Sequence, residues 1–221
     1  MLSSSATARS PFAAPPASWG AEISDIRLIG LTMHFSRDQE IYGEGEPAGE
    51  VYRVVSGAVR SFRVLCGGRR QICDFYLPGD LFGVEAGVDR RATAEALTDS
   101  MIVVARRSAL VDELDGGASA RRLWVLAVAD LQRSQDHVLT LGRRAASERV
   151  ASFLVELAAR MGDGDSLELP MSRQDIADYL GLTIETVSRT FTQLQAAGLI
   201  KVSGCRSIRL CRPCALEALC A

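Results

Sequence analysis

The chain lacks the features that would carry it out of a cell or into a membrane. No run of eighteen or more apolar residues occurs among its 221 residues, so no helical membrane span is expected and membrane is not a partner. The opening stretch, MLSSSATARSPFAAPPASWG, has one arginine and no continuous apolar core. That excludes a secretory signal and sets the expectation of a cytoplasmic protein. Six cysteines are too few for a disulfide scaffold, so reduced thiols are expected. Histidine is scarce, with only His34 and His137, and lysine scarcer still: of 25 basic residues only Lys201 is a lysine. A net charge of −2 does not by itself suggest nucleic acid as partner.

What is present is ordinary for a folded chain. Hydrophobic residues make up 48 % and charged residues 24 %, which excludes a largely disordered protein. The length suits two small domains better than one large one. The 24 arginines match the codon bias of a GC-rich genome, though arginine also makes bidentate contacts with phosphate and guanine.

Residues 1–20, rich in Ser, Ala and Pro, read as a flexible tail, and residues 23–29 as a short amphipathic segment. From Leu31 to Arg107 short apolar or alternating runs (50–55, 58–65 and 71–77) are separated by Gly43-Glu-Gly-Glu-Pro47, Ser56-Gly57, Gly67-Gly68 and Pro78-Gly-Asp80. This spacing predicts a closed antiparallel barrel or roll over residues 21–117. No proline then occurs until Pro170. Steps of four and three from Ala120 land on Trp124, Ala127, Leu131, Ser134, Val138 and Leu141. That is an apolar stripe on a helix about 33 Å long, placed at residues 118–142. Arg121, Arg122, Asp130, Gln132 and Arg133 fall on the opposite face. The stripe either packs on its own barrel or, the better fit, forms the seam of a homodimer through Trp124, Ala127, Leu131, Val138 and Leu141.

Residues 147–161 read as a second amphipathic helix with Val150, Phe153, Leu154 and Leu157 on one face, stopped by Gly162-Asp-Gly-Asp165. Residues 143–221 make a second domain. Ser172 and Asp175 form a capping box that starts a helix, and Gly181 ends it where the chain turns sharply. Thr183 caps another helix at once, with Glu185 favoured near its positive end. Two short helices so joined make a helix-turn-helix with Ile176, Ala177, Leu180, Leu182, Val187, Phe191 and Leu194 as its core. Ile184, Glu185, Ser188, Arg189, Thr192 and Gln193 stay outside. In a major groove Glu185 accepts from cytosine N4 and Arg189 donates to guanine, while Ser188 allows close approach to a thymine methyl. The bland alternative is a solvated Glu185–Arg189 pair at i,i+4. Residues 198–204 and 206–210 read as a two-stranded wing from which Lys201, Arg206 and Arg209 reach phosphates.

The stretch from Met171 to Arg189 resembles the DNA-reading segment of the Crp/Fnr superfamily, specifically its Fnr and FixK branches. Phe75-Tyr-Leu-Pro-Gly-Asp-Leu-Phe-Gly83 resembles that family's β-roll, and residues 145–157 its hinge. The resemblance implies an α+β architecture: an N-terminal, cyclic-nucleotide-binding-like β-roll, a dimerisation helix and a C-terminal winged helix-turn-helix. It implies a homodimer on double-stranded DNA, with Glu185, Ser188 and Arg189 reading a TTGAT half-site twice in a TTGAT-N4-ATCAA palindrome. It also implies an activator working with RNA polymerase, and a FixK-like role in microaerobic or nitrogen-fixation-associated genes.

The family's sensing devices are not matched. No cysteine precedes Cys66 and Val103 stands where the β-roll cysteine falls, so an iron–sulfur cluster is not expected. The cyclic-AMP pattern is degraded to Gly83-Val-Glu85 and Arg90-Arg91-Ala92, and Arg90 and Arg91 read as solvated turn charges rather than an anion site. His34 and His137 read as structural or solvated, not as haem ligands. The expectation is therefore no cofactor. Cys205, Cys211, Cys214 and Cys220 crowd the C-terminus beside Arg206, Arg209 and Arg212. Incidental thiols are the first reading, with oxidation at Cys205, Cys211 and Cys214 a second. Metal is a third; C-x5-C-x2-C-x5-C is not two paired knuckles. A thiol oxidoreductase using Cys211-Arg-Pro-Cys214 would need a thioredoxin-like βαβ setting, which the sequence does not offer. An enzyme is not expected.

Overall fold

A computed structural model describes residues 28–108, 117–143, 145–161, 166–204 and 206–220, with side chains of the long helix from residue 124 onward. The expectations for residues 1–20, most of 23–29, the 162–165 loop and Cys205 lie outside the described residues.

Runs of β-branched and aromatic residues, each stopped by turn residues, become eight strands. They are β1 (Leu31–Phe35), β2 (Glu40–Tyr42), β3 (Glu50–Ser56), β4 (Val59–Val64), β5 (Arg70–Tyr76), β6 (Leu81–Phe82), β7 (Thr93–Ala96) and β8 (Ser100–Arg106). Two antiparallel sheets form, ordered β1-β8-β3-β6 and β2-β7-β4-β5. Their inner faces share a core in which Tyr52, Val54, Phe82 and Ile102 from one sheet meet Tyr42, Val59, Ala94 and Ala96 from the other. This is the expected roll.

Helix α1 (Gly117–Gly142) follows, then α2 (Ala146–Met161), β9 (Ser166–Glu168), α3 (Arg173–Leu180), α4 (Ile184–Ala196), β10 (Ile200–Ser203), β11 (Ser207–Leu210) and α5 (Pro213–Ala218). Val150, Phe153, Leu154 and Leu157 of α2 are buried as their spacing predicts. They join Phe62, Ile72 and Phe75 of the roll to Ile176, Tyr179 and Leu180 of α3. One apolar core thus runs from the roll through α2 into the C-terminal domain.

Two expectations about this frame need correction. The wing is three-stranded, ordered β10-β11-β9, because residues 166–168 pair with β11. A strand of three residues carries too little alternation to be read from sequence. The face of α1 opposite the stripe is also not simply solvated. Val125 and Thr140 are buried, and Arg133 lies 3.8 Å from Asp80 of the roll and 3.1 Å from Asp130. Burial works against the Arg133 charge, but Asp74, Asp80 and Asp130 outweigh it and hold the guanidinium charged. A long arginine stem covers apolar surface while its head finds carboxylates, which a count of apolar positions does not register.

Candidate nucleic-acid interface

The paired helices form as their caps dictate. Ser172 Oγ accepts from Asp175 N–H at 3.1 Å while Asp175 Oδ2 accepts from Ser172 N–H at 2.9 Å, so each end of the box satisfies a free donor. Gly181 closes α3 at φ 62°, a left-handed conformation that most side chains avoid, and its N–H donates to Ala177 C=O. Two residues on, Thr183 Oγ1 accepts from Thr186 N–H at 3.2 Å and starts α4. Ile176, Ala177, Leu180, Val187, Phe191 and Leu194 are all buried where the helices cross, with Leu182 half-buried beside them.

That crossing turns one face of α4 outward. Ile184, Glu185, Ser188, Arg189, Thr192 and Gln193 are all exposed. The Glu185 carboxyl is held below its ordinary range by its own backbone N–H, then by Thr183 and by the nearby Arg189 charge. Among the described residues no ion pair links Glu185 to Arg189. The Arg189 head stands exposed in front of the helix, while the Glu185 carboxylate, also exposed, accepts hydrogen bonds at the start of the helix. On the wing, Lys201 and Arg209 sit directly opposite each other across β10 and β11, both exposed. Like charges so placed repel, and an anion between them would relieve that cost. Arg206 is half-buried at the turn and its C=O accepts from Leu169 N–H at 2.9 Å. Short polar side chains, a glutamate and an arginine on one convex helix, flanked by a basic wing, make a surface that fits a DNA groove.

The α1 stripe is divided. Trp124, Ala127, Leu131 and Val138 are exposed, the first three of the large ones at 70, 55 and 65 % for Trp124, Leu131 and Val138. Leu141 departs from them. It is half-buried and its Cδ2 lies against Gly181, 3.7 Å from where a Cβ would stand, so it packs on the helix-turn-helix.

Inside the roll, Tyr42, Tyr52, Tyr76 and Phe82 stack with ring centroids 4.9–6.2 Å apart. Arg90 is a correction to the sequence reading: it is 3 % exposed, not solvated. It donates to Gly83 C=O at 2.7 Å and Glu50 C=O at 2.6 Å, with its Cζ 4.2 Å from the Tyr42 ring centroid. A Cβ at position 83 would stand 2.9 Å from Arg90 Nη1 and 2.8 Å from the Tyr52 ring. Sequence pattern could not place this arginine, because its partners are main-chain carbonyls. Nη1 and Nη2 of Arg90 each give a hydrogen bond to one of those carbonyls, and Ala92 stands in place of a serine.

Among the described residues, histidines and thiols gather into no common site. His34 is exposed in β1, while His137 is half-buried on α1. Cys66, Cys73, Cys211 and Cys214 are exposed free thiols and Cys220 is buried. Cys211-Arg-Pro-Cys214 does lead from a strand into a helix, but the strand belongs to an antiparallel sheet and the helix is the six-residue α5. Among the described residues no group of three or more His, Cys, Asp or Glu is placed to hold a metal ion. No described helix is long and apolar enough to cross a membrane.

An antiparallel roll, a long helix and a winged helix-turn-helix with an open reading face define a DNA-binding transcription regulator. Residues 32–115 match the cyclic nucleotide-binding domain and residues 148–219 the Crp-like helix-turn-helix domain. The chain is 44 % identical over 200 residues to the nitrogen fixation regulation protein FixK of Rhizobium meliloti, covering 90 % of each. It is 46 % identical to the FixK protein of Azorhizobium caulinodans, over 88 % of this chain and 81 % of that one. The structure of FixK2 from Bradyrhizobium japonicum superposes with a TM-score of 0.83 at 47 % identity, over 88 % of this chain and 98 % of that one. The chain belongs to the Crp/Fnr family of transcription regulators.

Proposed function

We propose that the protein is a FixK-like activator that binds a TTGAT-N4-ATCAA palindrome as a homodimer. The carrying observation is the outward face of α4, where Glu185, Ser188 and Arg189 stand exposed behind the Thr183 cap. Glu185 accepts from cytosine, Arg189 forks onto guanine and Ser188 admits the thymine methyl. Ile184 and Thr192 pack beside them, and Lys201, Arg206 and Arg209 hold flanking phosphates. The exposed Trp124, Leu131 and Val138 meet their counterparts on a second copy, which sets the two reading helices on a two-fold axis.

No cofactor is needed for binding, since no cysteine precedes Cys66 and Ala92 stands where the cyclic-AMP pattern has a serine. Bound in the cytoplasm at microaerobic or nitrogen-fixation-associated promoters, the dimer recruits RNA polymerase. The role rests on the relatives named nitrogen fixation regulation protein FixK. The test is selection from random duplex with metal-free protein, followed by transcription in vitro on the selected site. Recovery of the palindrome with stimulated transcription supports the reading. Recovery of no common sequence overturns it.

A further inference from the structure

The sheet β2-β7-β4-β5 does more than support α2: it grips the first helix of the helix-turn-helix. Asp175, 4 % exposed at the start of α3, uses Oδ2 for its own cap. Its Oδ1 accepts from Arg60 Nη1 of β4 at 3.0 Å and from Arg70 Nη2 of β5 at 2.8 Å. One turn on, Asp178 Oδ2 accepts from Arg70 Nε at 3.0 Å. Gln71 Nε2 donates to the C=O of Asp178 at 2.7 Å and of Tyr179 at 3.3 Å. Arg60 is itself buried and anchored on the roll by Glu95 Oε2 at 2.6 Å. Two neighbouring strands therefore hold α3 at its first turn and near its last.

We propose that Arg60, Arg70 and Gln71 are positioning residues for DNA reading, which set the direction of α4 without touching DNA. The proposal rests on the reading that α4 engages a two-fold palindrome. Helices α3 and α4 are joined by the tight turn at Gly181 and share one buried core that includes Ala177 and Val187, so α4 follows any tilt of α3. A dimer on a palindrome must deliver two reading helices about one DNA turn, ~34 Å, apart. A tilt of each domain changes that separation twice over. Arg70 divides its fork between two carboxylates one turn apart, and such charge-assisted hydrogen bonds are directional, whereas apolar packing tolerates sliding. Buried ion pairs contribute little net stability over an apolar replacement, so geometry is what these pairs supply.

The experiment measures affinity for duplexes carrying one half-site or two identical half-sites separated by two to six base pairs. Wild type is compared with Arg70→Met, which keeps an unbranched stem but removes the guanidinium that lies over Phe62, and with Arg70→Asp. Folding and dimerisation are followed by circular dichroism and sedimentation. The expected result is a loss of about tenfold on the optimal spacing for Arg70→Met and Arg70→Asp. Neighbouring spacings lose less and single half-site binding holds. Should Arg70→Asp not fold, Arg70→Met carries the test. A folded, dimeric Arg70→Met with the wild-type spacing profile overturns the latch. A wild type indifferent to spacing would instead overturn the palindrome reading beneath it.

Discussion

His137 of α1 lies flat against Tyr179 of α3, ring centroids 4.0 Å apart and planes at 20°. The stack ties the long helix to the DNA-reading domain. Burial holds the imidazole down to about 4, so the stacked ring is neutral. Beside the same tyrosine, Glu156 of α2 lines a small cavity with Phe75, Phe153, Leu157 and Arg160. Burial pushes its carboxyl up to about 7, against the opposing pull of Arg160 at 3.8 Å. Two groups with opposite proton linkage therefore sit at one junction.

For His137 the unfolded ring takes a proton below about 6.5 and the native ring only near 4. Its contribution to stability is present above 6.5 and lost as pH falls through that window. His137→Phe should remove the loss, up to about 1.4 kcal/mol per pH unit. Urea unfolding from pH 7 to 4 checks this: the variant's stability should fall less steeply than that of wild type.

Glu156 has the reverse sign. The native carboxyl keeps its proton up to about 7 while the unfolded one releases it near 4.5. Its favourable contribution is complete below 4.5 and lost as pH rises to 7. Glu156→Gln should be more stable than wild type at pH 8, with the advantage shrinking towards pH 4.5. An equal offset at both ends of the range would contradict the assignment.

A charge in the exposed stripe should separate the protomers. Leu131→Glu places a carboxylate where an apolar seam is proposed, and buried without a partner it costs several kcal/mol. Sedimentation should find monomers and the palindrome should bind far more weakly. A Leu131→Glu protein that sediments as a dimer moves the interface elsewhere.

On the reading face, Arg189→Ala should lose roughly 1–3 kcal/mol of discrimination at its guanine and little on scrambled duplex. Arg206→Ala should weaken both alike and reduce the salt dependence by about one phosphate contact. Competition binding at two salt concentrations separates them. Equal losses on both duplexes for Arg189→Ala remove it from base reading.

What the sequence determined by itself was local. The Ser172–Asp175 box, the left-handed Gly181, the Thr183 cap and the α2 stripe each close within a few residues. Hydrogen-bond chemistry and helical period act over that range, so spacing alone placed the helix-turn-helix and turned Glu185, Ser188 and Arg189 outward. Tertiary structure decided what spacing does not encode. Arg60 meets Asp175 across 115 positions, and Arg70 meets it across 105. Arg90 turns inward onto main-chain carbonyls, Arg133 lies on the roll, and residues 166–168 complete the wing. An arginine is the same letter in solvent, on a carbonyl or in an ion pair. Its partner exists only after the shared core of roll, α2 and α3 has brought distant strands and helices together, because burial is what makes a directed charge pair worth forming.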